Sequence, residues 1–143
     1  MTYLLPIDQG TVDIVKTIAS AIRMKGVNMV HPRKEMEVTS ESIGAFSTMH
    51  DRIKNGQLTS NQVGNLSRAR FHGLIARVAN EKGCYLLTRK GARFLKGDDV
   101  PRFAIVSKTE KRQIGYFNLL TDITNIRQFG NDSEYWMGME YDY

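Results

Sequence analysis

The sequence predicts an α+β fold in which helices dominate. Apolar residues recur at the spacing of an amphipathic helix in several segments, the first with Val15, Ile18, Ala19 and Ile22 in one stripe. Two further segments place short apolar or β-branched runs on either side of a polar tip, as β-hairpins do. With 143 residues, of which 41% are hydrophobic, the chain is long enough to bury one core.

The N-terminal third is expected to contain two of these helices. Thr11 is placed to cap the first helix and Gly26 to end it. Residues 27–38 combine a proline with four charges, a composition that fits either a strand or a loop. The second helix ends at Gly56 and carries the apolar stripe of Ile43, Phe46, Met49 and Ile53.

A third helix is predicted over residues 60–72, with Gly73 as its left-handed exit. A helical projection with Leu66 turned to the core leaves a polar stripe on the opposite side. This stripe consists of Asn61, Asn65, Arg68 and His72. It is either a ligand-contacting surface or only the solvated face of an amphipathic helix.

A hairpin and a short helix follow the third helix. Runs 74–79 and 84–88 flank an Asn-Glu-Lys-Gly turn and are expected to pair as strands. Thr88 then caps a helix over residues 89–96, which Gly97 closes.

The C-terminal part adds a second hairpin and a last helix. The strands of this hairpin are expected at 103–106 and 114–117, with a polar loop between them. The last amphipathic helix is indicated by the spacing of Leu119, Leu120, Ile123 and Ile126.

The order of helix, helix, hairpin and helix over residues 43–97 is that of a winged helix-turn-helix. In this arrangement the helix before the hairpin enters the major groove of DNA. Asparagine can pair bidentately with adenine and arginine with guanine. We therefore expect Asn61, Asn65 and Arg68 to contact base edges, with His72 assisting them.

The charge distribution favours a polyanionic ligand. Residues 52–112 contain 14 Lys or Arg against four acids, in a chain of net charge +5. When such a surface binds a phosphate backbone, the counterions condensed on that backbone are released into solution. Cations at a helix start oppose the helix dipole unless an anion binds there. The expected phosphate contacts, on the hairpin and the helix after it, are Arg77, Lys82, Arg89, Lys90 and Arg93.

Two stretches of the sequence resemble a known group of proteins. Leu58-Thr-Ser-Asn-Gln-Val-Gly-Asn-Leu-Ser-Arg-Ala-Arg-Phe-His-Gly-Leu-Ile75 precedes Cys84-Tyr-Leu-Leu-Thr-Arg-Lys-Gly-Ala-Arg-Phe-Leu-Lys-Gly97 and then Val100-Pro101. This block, residues 58–102, is similar to the winged helix-turn-helix of small phage and bacterial proteins. The resemblance implies a DNA-binding protein, often a regulator. The contact residues it implies are Asn61, Asn65, Arg68, His72 and Lys82.

Other kinds of site are not indicated. The single cysteine, Cys84, rules out an internal disulfide and a zinc site built from several thiolates. His31, His50 and His72 lack metal-ligand spacing, and no nucleophile motif or phosphate-binding glycine loop occurs. We therefore expect neither an enzyme, nor a cofactor, nor a metal. No apolar run approaches about 20 residues and no signal-peptide pattern begins the chain, so a cytoplasmic protein is expected.

We expect one domain over residues 1–130, with its winged-helix core at 43–97, and an acidic, aromatic tail at 131–143. The tail either packs back on the domain or on a second subunit, or it is an acidic peptide that covers the basic face or docks a host protein. The candidates for that docking are Tyr135, Trp136, Tyr141 and Tyr143. A homodimer is expected because paired half-sites match two-fold symmetry, with helix 11–25 as the interface.

The sequence thus predicts a protein that binds double-stranded DNA and regulates transcription in a phage or mobile element. Structured RNA suits the predicted helix less well, because its major groove is too narrow. A function of another class stays open at this point. The protein would then be a phage-encoded inhibitor of a host defence complex, of anti-CRISPR or anti-restriction type, acting by protein contact.

Overall fold

The computed structural model of the protein describes residues 1–23, 29–30, 60–77, 85–117 and 121–141. Within these residues the helices are α1 (Gln9–Arg23), α2 (Ser60–Phe71), α3 (Arg89–Lys96) and α4 (Ser133–Met137), with a 3-10 turn at Ile126–Gln128. The strands are β1 (Thr2–Pro6), β2 (Met29–Val30), β3 (Ile75–Arg77), β4 (Tyr85–Leu87), β5 (Val100–Pro101), β6 (Phe103–Ser107), β7 (Arg112–Phe117), β8 (Ile123–Thr124) and β9 (Glu140–Tyr141). This mixture confirms the α+β class.

The chain begins with a strand that the sequence analysis did not predict. β1 pairs antiparallel with β6, and β6 pairs with β7, in a three-stranded sheet of order β1-β6-β7. Leu5 on β1 lies opposite Ala104 on β6, and both side chains are buried. The predicted second hairpin is confirmed as β6 and β7, and β1 extends it by one strand.

Helix α1 is capped by Asp8, so the prediction of Thr11 as its cap was wrong. The Oδ1 of Asp8 accepts hydrogen bonds from the backbone N and the Oγ1 of Thr11, each 2.8 Å long. Aspartate caps a helix at least as well as threonine, and Asp8 immediately precedes the first turn.

The apolar face of α1 is used within the protein itself. Helix α1 packs against α2 and β4. Its side chains on that face are at most 1% exposed, namely Val12, Ile14, Val15, Ile18 and Ala19. The expected dimer interface on this helix is therefore not available, because its apolar residues already form the core.

The unit from α2 to α3 follows the predicted boundaries. Helix α2 stops just before Gly73, whose φ is 73°, and β3 pairs antiparallel with β4. Thr88 Oγ1 accepts a hydrogen bond of 3.0 Å from the N of Gly91 and donates one of 2.5 Å to the O of Gly73. Gly97 ends α3 with a φ of 111°. Local capping therefore determines both ends of α3, as the sequence predicted.

One main core joins the helices to the β3–β4 hairpin. Its buried members include Ile18, Leu66, Leu74 and Phe94. Helix α3 comes closest to the hairpin at Gly91, where an added Cβ would lie 2.1 Å from the O of Leu74. Only glycine fits at this crossing, because a backbone carbonyl cannot move aside as a flexible side chain can.

The predicted helix over 119–126 was wrong over its described residues. From 121 onward the chain forms β8, which pairs with β5, and then the 3-10 turn. Asn125 Oδ1 accepts a hydrogen bond of 2.9 Å from the N of Arg127 and caps this turn. Ile126 is fully buried whereas Ile123 is 43% exposed, so the two do not share an apolar face. An asparagine that bonds the nearby backbone favours a turn over a continuing helix.

The segment expected to be a tail packs on the domain as far as Tyr141. Trp136 and Met139 are buried in the main core, at 4% and 7% exposure. Lys16 on α1 donates hydrogen bonds from Nζ to Asp132 Oδ1 at 2.6 Å and to Phe129 O at 2.9 Å. β9 pairs parallel with β2. Trp136 therefore packs back on the domain, as one of the two interpretations of the tail expected.

Several predictions fall outside the described residues. These include the helix with the stripe 43–53, the tip of the first hairpin and most of the 27–38 segment, of which β2 is described. Among the described residues, no helix has the length and apolar character needed to span a bilayer. The same residues contain no cluster of three or more His, Cys, Asp or Glu that could hold a metal ion.

Candidate nucleic-acid interface

Helix α2 has one face in the core and one in solvent. Leu66 and Ala69 are buried, whereas Gly64, Ser67 and Arg68 are exposed. A Cβ added at Gly64 would meet no other atom within 4 Å. The solvent-facing stripe of this helix therefore begins with small side chains and leads to an arginine.

Arg68 forms an ion pair across to the start of α1. Its Nη1 lies 2.8 Å from Asp8 Oδ2, and the two side chains are 46% and 41% exposed. Burial alone would raise the pKa of Asp8, but the hydrogen bonds from Thr11 and the charge of Arg68 outweigh it and lower that pKa. Arg68 thus remains accessible to a ligand, although a carboxylate already holds it.

Asn65 is half-buried on the same side of α2. A Cβ at Gly10 would lie 2.6 Å from its amide nitrogen, so the side chain fills the space that this glycine leaves. Asn65 therefore packs against the first turn of α1. A base edge would reach it only beside that turn.

His72 was predicted to assist in base contacts, and the structure places it in the interior instead. Its side chain is fully buried, and neither ring nitrogen has a hydrogen-bond partner among the described residues. Burial, followed by the charge of Lys90, lowers its pKa to about 4, while the nearby backbone of Pro6 and Leu5 opposes that shift. Because β1 covers this side chain, a DNA contact from His72 is excluded in this conformation.

Of three further predicted contact residues, the structure describes only the backbone of two and leaves the third outside the described residues. Asn61 lies in the first turn of α2. Arg77 ends β3 and is paired with Tyr85 on β4. Lys82, expected at the tip of the hairpin, lies outside the described residues.

The cations of α3 point in different directions. Arg89 is half-buried and Arg93 is exposed. Lys90 turns towards β7, where its Nζ donates a hydrogen bond to the Tyr116 hydroxyl and lies 4.1 Å from the centroid of that ring. Lys90 is therefore held beside β7, while Arg93 faces solvent.

A basic cleft lies beside the end of α2, and sequence reasoning did not find it. It is an open depression of 330 Å³ lined by Arg70, Phe71, Gly73, Lys111, Arg112, Gln113 and Tyr116. We call these residues the basic cleft. The only signal in the sequence was the charged run Lys108-Thr-Glu-Lys-Arg112, which the predicted loop between two strands contained. Pairing of β6 with β7 brings this run next to α2.

The basic cleft has one carboxylate at its rim. Arg112 Nη2 lies 2.9 Å from Glu110 Oε2, with the side chains 65% and 53% exposed. An ion pair this open to water contributes little and is readily exchanged for another anion. Arg70 and Lys111 have no ion pair with an acid among the described residues.

Comparisons with known proteins identify no family for this chain. No family model matches it, and no curated protein or solved structure shows significant similarity to it. The winged-helix resemblance of residues 58–102 therefore stays a prediction from the sequence.

Proposed function

We propose that the protein binds double-stranded DNA through the exposed face of α2 and the basic cleft beside it. One observation carries this proposal. Helix α2 directly precedes an antiparallel hairpin and exposes Gly64, Ser67 and Arg68 along one face. Small side chains let a helix approach the floor of the major groove closely, and arginine is the residue that most often contacts guanine there.

Electrostatics adds two separate groups of cations. Arg68 lies on the exposed face of α2, whereas Arg70, two residues later and about 200° around the helix axis, lines the cleft with Lys111 and Arg112. Either group would neutralise phosphates of a bound nucleic acid and release their counterions. Arg89 and Arg93 on α3 are candidates for further phosphate contacts.

The biological role that fits this binding is regulation of transcription, in a phage or another mobile element. The resemblance of residues 58–102 to small phage and bacterial winged-helix proteins supports that role. We also propose that the active species is a homodimer, since paired half-sites are the usual target of such domains. Its interface would lie outside the apolar face of α1, which the core occupies.

The test is a selection from a random duplex pool, followed by titration of the enriched sequence at two salt concentrations. We expect an enriched motif and a log–log salt slope of about −4 to −6, for roughly five or six phosphate contacts. Arg68→Ala should reduce the preference for the motif. Arg127→Ala is the matched control. Arg127 is exposed beside the C-terminal end of α3, where its side chain donates a 3.4 Å hydrogen bond to Gly97 O. Absence of any enriched sequence would contradict the proposal.

A different surface favours the competing function, inhibition of a host defence complex by protein contact. Leu4, Ile114 and Phe117 are 47%, 47% and 45% exposed on the three-stranded sheet. The pairing of Leu4 with Ile105 and of Phe117 with Phe103 puts Leu4 and Phe117 on one face. Apolar side chains exposed on one face often mark a protein interface. Of the four tail aromatics expected as an anchor, Trp136 is buried and Tyr135 is 53% exposed. The side chains of Tyr141 and Tyr143 lie outside the described part of the chain.

The two functions are separated by replacing Asn65 and Arg68 together with alanine. Loss of sequence preference with nearly unchanged nonspecific binding supports the regulator. No change in any DNA binding supports the protein-contact function, and Leu4→Asp combined with Phe117→Asp should then abolish inhibition.

A further inference from the structure

The basic cleft has a feature that a merely solvated surface does not require. Lys111 has a φ of 54°, and it is the non-glycine residue with positive φ among those described. Its N donates a hydrogen bond of 2.8 Å to Ser107 O, and Glu110 N donates one of 3.1 Å to Ser107 Oγ. The turn between β6 and β7 is therefore closed by a lysine where glycine or asparagine is favoured.

Retention of an unfavourable residue in a turn points to a role for its side chain. The side chain of Lys111 lines the basic cleft together with Arg70. The two come from different elements, the turn after β6 and the end of α2. Their convergence places two positive charges at one open depression without a carboxylate partner for either among the described residues.

Charges next to the cleft add to these two. Lys90 does not line the cleft but donates a hydrogen bond to Tyr116, which does. Arg112 contributes a guanidinium whose exposed partner, Glu110, can be displaced.

We propose that the basic cleft binds a phosphate group, with Lys111 and Arg70 as its principal contacts. The inference rests on the proposed function, since the phosphate source that it favours is the backbone of the bound duplex. An open cleft beside the end of α2 suits a phosphate that flanks the groove. A free phosphorylated small molecule would present the same chemistry, and the experiment below distinguishes the two sources.

The decisive variant is Lys111→Gly. Glycine adopts positive φ without cost, so this change removes the charge while the turn is kept or improved. The matched control is Lys108→Ala. Lys108 is exposed on the same turn, but its Nζ lies 6.0 Å from the Tyr3 ring centroid and it does not line the cleft. Arg70→Gln tests the second contact.

We would titrate the full chain with the selected duplex and, separately, with inorganic pyrophosphate, following the backbone amide signals at positions 73 and 111 by NMR. We expect Lys111→Gly to bind duplex about tenfold more weakly and to reduce the salt slope by about 1, with an equal or higher Tm. Lys108→Ala should change the duplex affinity by no more than about twofold. An equal or higher Tm in Lys111→Gly excludes unfolding as the cause of the loss.

A loss specific to Lys111 with either probe supports the phosphate site. The protein could instead bind pyrophosphate through Lys111 and bind no duplex. That result would support the phosphate site with a free phosphorylated ligand, and it would contradict the proposed function. Equal behaviour of Lys111→Gly and Lys108→Ala with both probes overturns the site, and it does so even when the duplex binds.

Discussion

Arg68 donates a hydrogen bond of 2.8 Å from Nη1 to Oδ2 of Asp8, while the other oxygen of this carboxylate caps α1 through Thr11. One carboxylate therefore both starts a helix and holds the arginine that we assign to base contact. If the proposed function holds, DNA competes with Asp8 for this guanidinium, and breaking the ion pair lowers the binding affinity.

Asp8→Ser separates the two roles of Asp8. Serine keeps the cap of α1 but frees Arg68, so we expect DNA affinity to rise several-fold with little change in stability. Asp8→Ala also frees Arg68 but loses the cap, which should reduce the free energy of unfolding by about 1 kcal/mol. Both quantities are measurable by duplex titration and urea denaturation. Glu134→Gln removes one exposed negative charge elsewhere, and a rise of equal size in that variant would contradict a specific effect of Asp8.

Stability should depend on pH through His72. Its pKa is lowered from 6.5 to about 4 in the folded protein, so between these values the unfolded chain binds more protons. The stability that comes from keeping His72 uncharged is fully present above pH 6.5 and is lost progressively as the pH falls towards 4. Between pH 7 and pH 5 the free energy of unfolding should fall by about 2 kcal/mol.

Urea denaturation at the two pH values measures this difference. His72→Leu should remove most of it, because an apolar side chain of similar volume does not titrate. Lys90 and Asp8 are the charged groups that act on His72. The pKa of Asp8 and of Asp132 is lowered, so their contributions are lost only below pH 4. An unchanged pH dependence in His72→Leu would show that another group is responsible.

The two helical glycines Gly91 and Gly64 should respond to alanine in opposite ways. Gly91→Ala would place a Cβ 2.1 Å from Leu74 O, so we expect a loss of more than about 2 kcal/mol in the free energy of unfolding. Gly64→Ala meets open space and should raise that free energy by about 0.5–1 kcal/mol. Chemical denaturation of both variants checks the pair. Similar stability of the two would contradict the packing of α3 against the hairpin.

The contact of α1 with the C-terminal segment can be followed through Trp136, the one tryptophan of the chain. Lys16 is bonded to Asp132, and Trp136 Nε1 donates a 3.0 Å hydrogen bond to the same carboxylate. Lys16→Met should loosen this segment, shift the tryptophan emission to the red and lower the free energy of unfolding by about 1–2 kcal/mol. Lys108→Ala, far from this contact, should leave the emission unchanged.

Elements governed by nearby residues were predictable. Thr88 and Gly97 identify the ends of α3 because capping depends on hydrogen bonds within a few residues. The exit of α2 at Gly73 and the β3–β4 pair followed from the same kind of local signal. The helix over 119–126 failed because apolar spacing outweighed the turn preference of Asn125 in our prediction.

The candidate site was predictable only in part. A helical projection correctly placed Arg68 away from Leu66, because that depends on the period of a helix. The same projection could not reveal what covers the remaining faces of α2. His72 is buried and Asn65 is half-buried because β1 and the start of α1 pack there, and β1 is ordered by pairing with β6 far along the chain. The basic cleft likewise forms where Arg70 meets Lys111. Local propensity and helical period are properties of short segments, whereas burial and the convergence of charges depend on which distant segments come into contact.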